Sequence, residues 1–174
     1  MLNINRQKIT IVIVSVTILC MGGMTACGKT QTSETLVAEA KQYQQKGDNK
    51  AAIIQLKNAL QKNPDDVEAR YLLGTIYNET ADFPSAEKEL RKALSLGMNL
   101  AKVSSDLGKS LLMQGKFQAV LDEIKQVPGE KESAEISVSR GNAYLALGKS
   151  QEAKESFEQA LKNKPDFPDA LIGL

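Results

Sequence analysis

The residue types that could carry chemistry in this sequence are paired carboxylates and two cysteines. There is no histidine, which removes the usual general base near neutral pH and the commonest metal ligand. Ser-His-Asp and Cys-His systems and histidine-based zinc sites are therefore excluded. Neither a CxxC pair nor a glycine-rich phosphate loop occurs. The carboxylate pairs Asp65-Asp66 and Asp122-Glu123 are typical of helix caps and solvated helix faces. We predict a protein that is not an enzyme and holds no metal or cofactor.

Cys27 follows a leader that has the pattern of a secretory signal. Residues 1–8 form a short basic segment. Residues 9–19 form an uncharged apolar run with fewer residues than a membrane-spanning helix needs. The segment Met24-Thr25-Ala26-Cys27-Gly28 resembles the bacterial lipobox. This resemblance implies cleavage before Cys27, a diacylglycerol on its thiol and an acylated amino terminus. A plain cleaved signal or a transmembrane anchor is the alternative.

The lipobox predicts a signal peptide over residues 1–26 and a lipidated cysteine with a short tether over residues 27–33. Cys20 would leave with the leader, so no disulfide could form within the mature chain. By resemblance to lipoproteins of the enteric type, Gly28 after the cysteine permits sorting to the outer membrane. We expect a protein of the cell envelope that is anchored by lipid in the outer membrane and faces the periplasm. The inner membrane is the alternative location.

The net charge gives no sign of a polyanionic partner. The formal charge is +1 over 174 residues, and a near-neutral chain lacks the basic patch that nucleic acid or an anionic lipid surface requires. We therefore expect protein partners in an envelope assembly, with no nucleic acid and no small-molecule substrate.

Residues of matching type recur along the chain at spacings of 34, 34 and 33. Such a period indicates a repeat of helical hairpins, each with two helices and a break between them. The columns are Tyr43, Tyr77, Leu111 and Tyr144; Gly47, Ala81, Gly115 and Gly148; Ala52, Ala86, Val120 and Ala153; Leu56, Leu90, Ile124 and Phe157; and Ala59, Ala93, Val127 and Ala160.

Local signals predict how the helices begin, end and pack. Each break falls in the glycine column, where the left-handed conformation ends a helix. A capping box over Asp65–Glu68 is expected to start one helix, and Asp82 and Asp166, each followed by Phe-Pro, are expected to cap two more. The glycines of the first helices, Gly74, Gly108 and Gly141, are expected to face the small residues of the second helices.

The segments Leu73-Gly74…Tyr77 and Ala153…Phe157…Ala160…Pro165 resemble the tetratricopeptide repeat (TPR) signature. The resemblance implies an all-α fold, a right-handed superhelix of antiparallel helix hairpins. The array is predicted over residues 34–174, with repeats at about 33–66, 67–100, 101–133 and 134–167 and the start of a fifth at 168. The third repeat is degenerate, and Pro128-Gly129 is expected to cut its second helix early. The unfinished fifth hairpin suggests that the natural array continues beyond Leu174.

A narrower resemblance concerns the partner. Residues 46–66, 86–94 and 115–124 resemble the TPR-repeat lipoprotein of the PEP-CTERM/exosortase system, which implies a scaffold for exopolysaccharide export or linked surface assembly. A TPR lipoprotein for pilus or outer-membrane protein assembly is the alternative. A carboxylate clamp for peptide C-termini is rejected, because the equivalent positions lack its asparagines. By TPR register, the candidates for partner binding on the concave face are Lys41, Tyr71, Thr75, Asn78, Lys109, Ser139 and Asn142.

Overall fold

A computed structural model of the chain describes residues 31–124 and 132–174. The predicted signal peptide, the lipobox with Cys27, and the break at Pro128-Gly129 lie outside the described residues. Within the described part there are nine α-helices and no strand. They are α1 (Ser33–Gln45), α2 (Asn49–Lys62), α3 (Val67–Glu79), α4 (Phe83–Ser95), α5 (Leu100–Met113), α6 (Phe117–Ile124), α7 (Ala134–Ala146), α8 (Ser150–Asn163) and α9 (Pro168–Gly173). No described helix is both long and apolar enough to cross a membrane.

The helices alternate between two layers of a solenoid, which is the predicted fold. Each odd-numbered helix from α1 to α7, a first helix, forms an antiparallel hairpin with the second helix that follows it, and each first helix also contacts the next first helix. Because every hairpin buries one side against its neighbour, the core is continuous along the array instead of being central.

The columns of the repeat form that core. Leu56, Leu90 and Phe157 are fully buried, as are Ala52, Ala86 and Ala153. The small residues let paired helices approach closely, and the large residues fill the space between hairpins. The predicted core columns are therefore confirmed where the structure describes them.

The predicted breaks between paired helices are also confirmed. Gly47, Gly115 and Gly148 adopt φ values of 75°, 72° and 74°. Ala81 occupies the same position with φ 61° although it carries a Cβ. At each break two backbone hydrogen bonds reach back to the last helical turn, as Asp82 N–H does to the Tyr77 carbonyl at 2.9 Å. This pattern closes the helix end only when the residue at the break is left-handed.

Two predicted helix starts need correction. The N-cap of α3 is Asp66, whose side chain accepts from Ala69 N–H, so Glu68 stands one position too early for a capping box. Helix α9 begins at Pro168 after Phe167, with no side-chain cap from Asp166. The cap of α4 by Asp82 is as predicted. Helix α1 begins at Ser33 after its cap Thr32, one residue before the predicted start of the array.

The prediction that the first-helix glycines face the alanine column is correct only for Gly74, where an added Cβ would lie 3.3 Å from the Ala86 carbonyl oxygen, and even there Leu90 is closer. A Cβ on Gly74 would lie 2.7 Å from Leu90 Cγ, and one on Gly141 would lie 2.6 Å from the Phe157 ring. Gly108 instead approaches Ser139 on the next first helix, at 3.4 Å from its Cβ. These glycines therefore make room for the large residues or for the neighbouring repeat.

The fifth repeat departs from the regular pattern. In α9, Ala170 is fully buried against the preceding hairpin, while Leu171 and Leu174 are more than half exposed. Ala170 therefore contacts the preceding hairpin, whereas no described residue covers Leu171 or Leu174.

Candidate functional site

The first helices present the surface that the sequence selected for partner binding. We call the side of α1, α3, α5, α7 and α9 that faces away from the second helices the first-helix surface. All seven predicted binding residues lie on these helices. Their surroundings divide the surface into an N-terminal half crossed by internal contacts and a C-terminal half that is open.

Lys41 lies in the N-terminal half, in an ion pair with a neighbouring repeat. Its Nζ is 3.1 Å from Glu68 Oε1, and Lys102 Nζ is 3.5 Å from Glu68 Oε2. One carboxylate of α3 thus lies between lysines of α1 and α5. Because these groups are well exposed, the pairs add little stability, and either lysine could exchange its partner for a ligand carboxylate.

Tyr71 and Asn78 are held by Asp106 of the next repeat. The Tyr71 hydroxyl donates to Asp106 Oδ2 at 3.2 Å, and Lys102 Nζ lies 4.6 Å from the centre of the Tyr71 ring. Asn78 Nδ2 donates to the Asp106 carbonyl at 2.8 Å. Asn78 is 4% exposed, so it lies at the contact between α3 and α5 and does not project into an open groove. The register placed it on the correct helix but could not reveal the backbone carbonyl that draws it inward.

Burial changes the proton affinities at this contact. Burial and the nearby Asp106 carboxylate raise the pKa of Tyr71 to about 12. Burial likewise raises the pKa of Asp106 above its ordinary range, although the Tyr71 hydrogen bond and Lys109 oppose the rise. Near neutral pH the tyrosine therefore remains a hydrogen-bond donor.

Two further candidates hydrogen-bond within their own helices. Thr75 Oγ1 donates to the Leu72 carbonyl at 2.8 Å, and Ser139 Oγ donates to the Glu135 carbonyl at 2.9 Å. Ser139 is also buried. Their hydroxyl protons are therefore already committed, and only the oxygen lone pairs could serve a ligand.

The C-terminal half of the surface forms an open groove between α5, α7 and α9, which we call the first-helix groove. Its volume is about 360 Å³, and Lys109, Ser139 and Asn142 meet in its lining. Lys109 and Asn142 are exposed, and Met113 at its edge is 61% exposed. The complete lining is Ser105, Lys109, Leu112, Met113, Glu135, Val138, Ser139, Asn142, Phe167 and Asp169.

This groove combines apolar surface with hydrogen-bonding groups. Leu112, Met113 and Phe167 supply the apolar part, while Lys109 and Asn142 can orient a peptide backbone or side chain. Sequence reasoning missed these apolar residues because the candidates taken from the register were polar side chains and Tyr71. The exposed methionine at the end of α5 was the available signal, since thioether side chains suit adaptable binding surfaces.

Among the described residues, no group of three or more histidine, cysteine or acidic side chains is placed to hold a metal ion.

Comparisons with protein-family models and with known sequences agree with the helical repeat. Two models described as tetratricopeptide repeat match residues 43–105 and 134–167, which together make up more than half of the chain. The type IV pilus assembly protein PilF of Pseudomonas aeruginosa is 22% identical over 148 residues, which are 83% of this chain and 59% of PilF. The BBSome complex member BBS4 of Bos taurus is 30% identical over 128 residues, covering 72% of this chain and 24% of BBS4. The chain thus spans less than two thirds of either relative.

Solved structures give the same result for the fold. A crystal structure of MamA superposes with a TM-score of 0.70 at 26% identity, covering 77% of this chain and 79% of MamA. A structure of P. aeruginosa pilF superposes with a TM-score of 0.68 at 23% identity, covering 81% of this chain and 65% of that one.

Proposed function

Because the chain belongs to the tetratricopeptide repeat family, we propose that it is a scaffold that holds a segment of a partner protein in the first-helix groove. The observation that carries this proposal is the combination of exposed Met113 with Lys109 and Asn142 in one groove. An extended segment could bury an apolar side chain there while its backbone bonds to the asparagine amide. Solenoids use such continuous surfaces for extended ligands.

The N-terminal half of the first-helix surface contributes less to this function. Tyr71 and Asn78 already bond to Asp106, and Lys41 pairs with Glu68. A partner would have to displace these contacts before gaining its own. In the first-helix groove, Lys109 and Asn142 have no hydrogen bond or ion pair to displace among the described residues, and we expect the partner to be anchored there.

The proposal places the scaffold in the cell envelope, held by lipid on Cys27. It rests on the lipobox resemblance of residues 24–28 and on the apolar leader before it. Acyl chains on both the thiol and the new amino terminus exceed the two signals that stable membrane anchoring needs. The repeats would then face the periplasm from the outer membrane, and the protein would be no enzyme.

Two assemblies are candidates for the partner. Exopolysaccharide export or exosortase-linked surface assembly is supported only by the sequence resemblance of residues 46–66, 86–94 and 115–124. Pilus assembly is supported by the similarity to PilF, which extends over 83% of the chain. We give the pilus alternative the greater weight for this reason.

Site-specific photo-crosslinking in intact cells tests the proposal. A photoreactive amino acid at Asn142 should yield an adduct with an envelope protein, identified by mass spectrometry. The same residue at Lys154, an exposed position of second helix α8, is the matched control. Equal adducts at both positions, or none at Asn142, would exclude the first-helix groove as the binding site. The adduct's identity would separate pilus components from polysaccharide-export or sorting components.

A further inference from the structure

A second groove lies on the opposite layer of the solenoid, between α2 and α4, with α3 as its floor. We call it the second-helix groove. Its volume is about 450 Å³, and it shares no residue with the first-helix groove. The residues that matter for its chemistry are Lys57, Leu60, Arg70, Tyr77, Lys88 and Glu89.

Glu89 is the acidic residue of this groove, and its charge is already neutralised. Arg70 Nη1 lies 2.5 Å from Glu89 Oε2, and Glu89 is only 7% exposed. The Arg70 Nε and Nη2 groups donate to the Pro64 carbonyl. Because the Arg70 guanidinium bonds to both Pro64 and Glu89, the ion pair stays in place. Glu89 therefore offers little repulsion to an anion in the groove.

Lys57 and Lys88 add two positive charges to opposite walls. Neither ammonium has an ion-pair partner among the described residues. Lys57 Nζ lies 5.9 Å from the centre of the Tyr77 ring, a weak attraction that leaves its hydrogen-bonding capacity free. The groove therefore has an excess of two positive charges, one from each lysine.

The next gap along the same layer is different. Between α4 and α6, Arg91 pairs with Glu87 and Glu123, and Lys116 pairs with Glu87. Those charges satisfy one another across the repeat boundary. The excess of cations between α2 and α4 is therefore a local property of this groove and does not follow from the repeat.

We propose that the second-helix groove binds an acidic segment of a protein. A carboxylate of the segment lies between Lys57 and Lys88, and an adjacent apolar side chain packs on Tyr77 and the half-buried Leu60. The partly exposed Leu60 and Tyr77 favour a peptide over a lipid headgroup, because a headgroup has no apolar side chain to pack against them. The chain's net charge is only +1, so the attraction is confined to the groove and gives no general affinity for anionic membranes.

The test measures binding of a labelled peptide of alternating glutamate and leucine to the full chain in detergent. Neutralising both lysines, Lys57→Gln with Lys88→Gln, should weaken binding roughly tenfold, as expected for two exposed ion pairs. The matched control is Lys50→Gln with Lys62→Gln, because these lysines are also exposed, lie on α2 and have no ion pair in the described part of the chain. The control should bind like the parent, and added salt should weaken the parent most.

Three results would overturn the proposal. They are unchanged affinity in the Lys57/Lys88 variant, equal losses in the control variant, and equal binding of a lysine–leucine peptide. Phosphatidylglycerol vesicles that bind the parent through the same two lysines, when the acidic peptide does not bind, would assign the site to lipid instead. The proposal is independent of the first-helix groove, so the Asn142 crosslink should persist in the Lys57/Lys88 variant.

Discussion

The Tyr71 hydroxyl donates a hydrogen bond to Asp106 Oδ2 at 3.2 Å and thereby joins the first helices of two adjacent repeats. The two residues are 35 positions apart, one more than the regular repeat spacing, so the contact reports how one repeat packs on the next. In a solenoid such contacts between neighbours supply much of the stability. Tyr71 therefore contributes to the α3–α5 interface even though it lies on the surface predicted for partner binding.

Replacing Tyr71 with phenylalanine should destabilise the array. The change removes one hydrogen bond to a half-buried carboxylate and should lower the free energy of unfolding by about 1 kcal/mol. Urea denaturation followed by circular dichroism gives the measurement. Tyr43→Phe is the control, because no hydrogen bond from the Tyr43 hydroxyl is found among the described residues. Equal losses in both variants would show that the Asp106 bond contributes nothing.

Glu87 should make stability depend on pH in the acidic range. Burial opposes its charge, but hydrogen bonds from Lys116, Arg91 and Gln114 outweigh burial and lower the pKa of Glu87. A lowered pKa in the folded state means that its stabilisation is present above the ordinary glutamate pKa and is lost as pH falls through the lowered value.

Glu87→Gln should therefore cost about 1 kcal/mol near neutral pH and progressively less in acid. Urea titrations across the acidic range would measure this change. The better exposed Glu158, whose one ion pair within the described residues is with Lys154 at 3.8 Å, provides the control substitution Glu158→Gln. A penalty at Glu87 that does not vary with pH would contradict the assigned linkage.

Gly74 and Gly108 should respond oppositely to alanine. The Cβ of Gly74→Ala would lie 2.7 Å from Leu90 Cγ, and overpacking of this kind costs about 1–3 kcal/mol. Gly108→Ala places its Cβ at an ordinary 3.4 Å from Ser139. It should be neutral or should stabilise by up to about 1 kcal/mol, since alanine favours the helix. Thermal melts of the two variants compare them directly, and similar shifts would refute the assigned packing.

Ala81 should be improved by glycine, because its φ of 61° is unfavourable for a residue with a Cβ. Relief of that strain is worth about 1–2 kcal/mol, and the greater freedom of glycine in the unfolded chain offsets about 0.4–1 kcal/mol of it. The net gain should raise the melting temperature. Gly148→Ala, at φ 74°, should lower it, and a decrease for Ala81→Gly would contradict the strain argument.

Lipidation should depend on Cys27 and not on Cys20. Cells that express the Cys27→Ser protein and are fed labelled palmitate should show no label on it, because no thiol remains to accept the diacylglycerol. Cys20→Ser should remain labelled, since that cysteine lies within the predicted leader. Persistent label on the Cys27→Ser protein would remove the basis for a lipid anchor.

The sequence by itself determined the repeat, its core and the ends of most paired helices. Small and large apolar residues at a fixed period specify which side each helix buries, and a glycine at the break specifies where a helix stops. These are local requirements of backbone geometry and of hydrophobic burial, so they can be read along the chain. Leu56, Leu90 and Phe157 are accordingly buried as their columns predict.

Only the tertiary structure decided which polar residues remain available for binding. The period assigns Asn78 and Asn142 to the same kind of helix, but Asn78 meets the Asp106 carbonyl and Asn142 stays exposed. In the same way, Lys57 and Lys88 of the second-helix groove, which have no ion pair in the part of the chain that the structure describes, come from different helices. The offset between neighbouring hairpins determines these contacts, because it decides which side chains come within bonding distance across the repeat boundary.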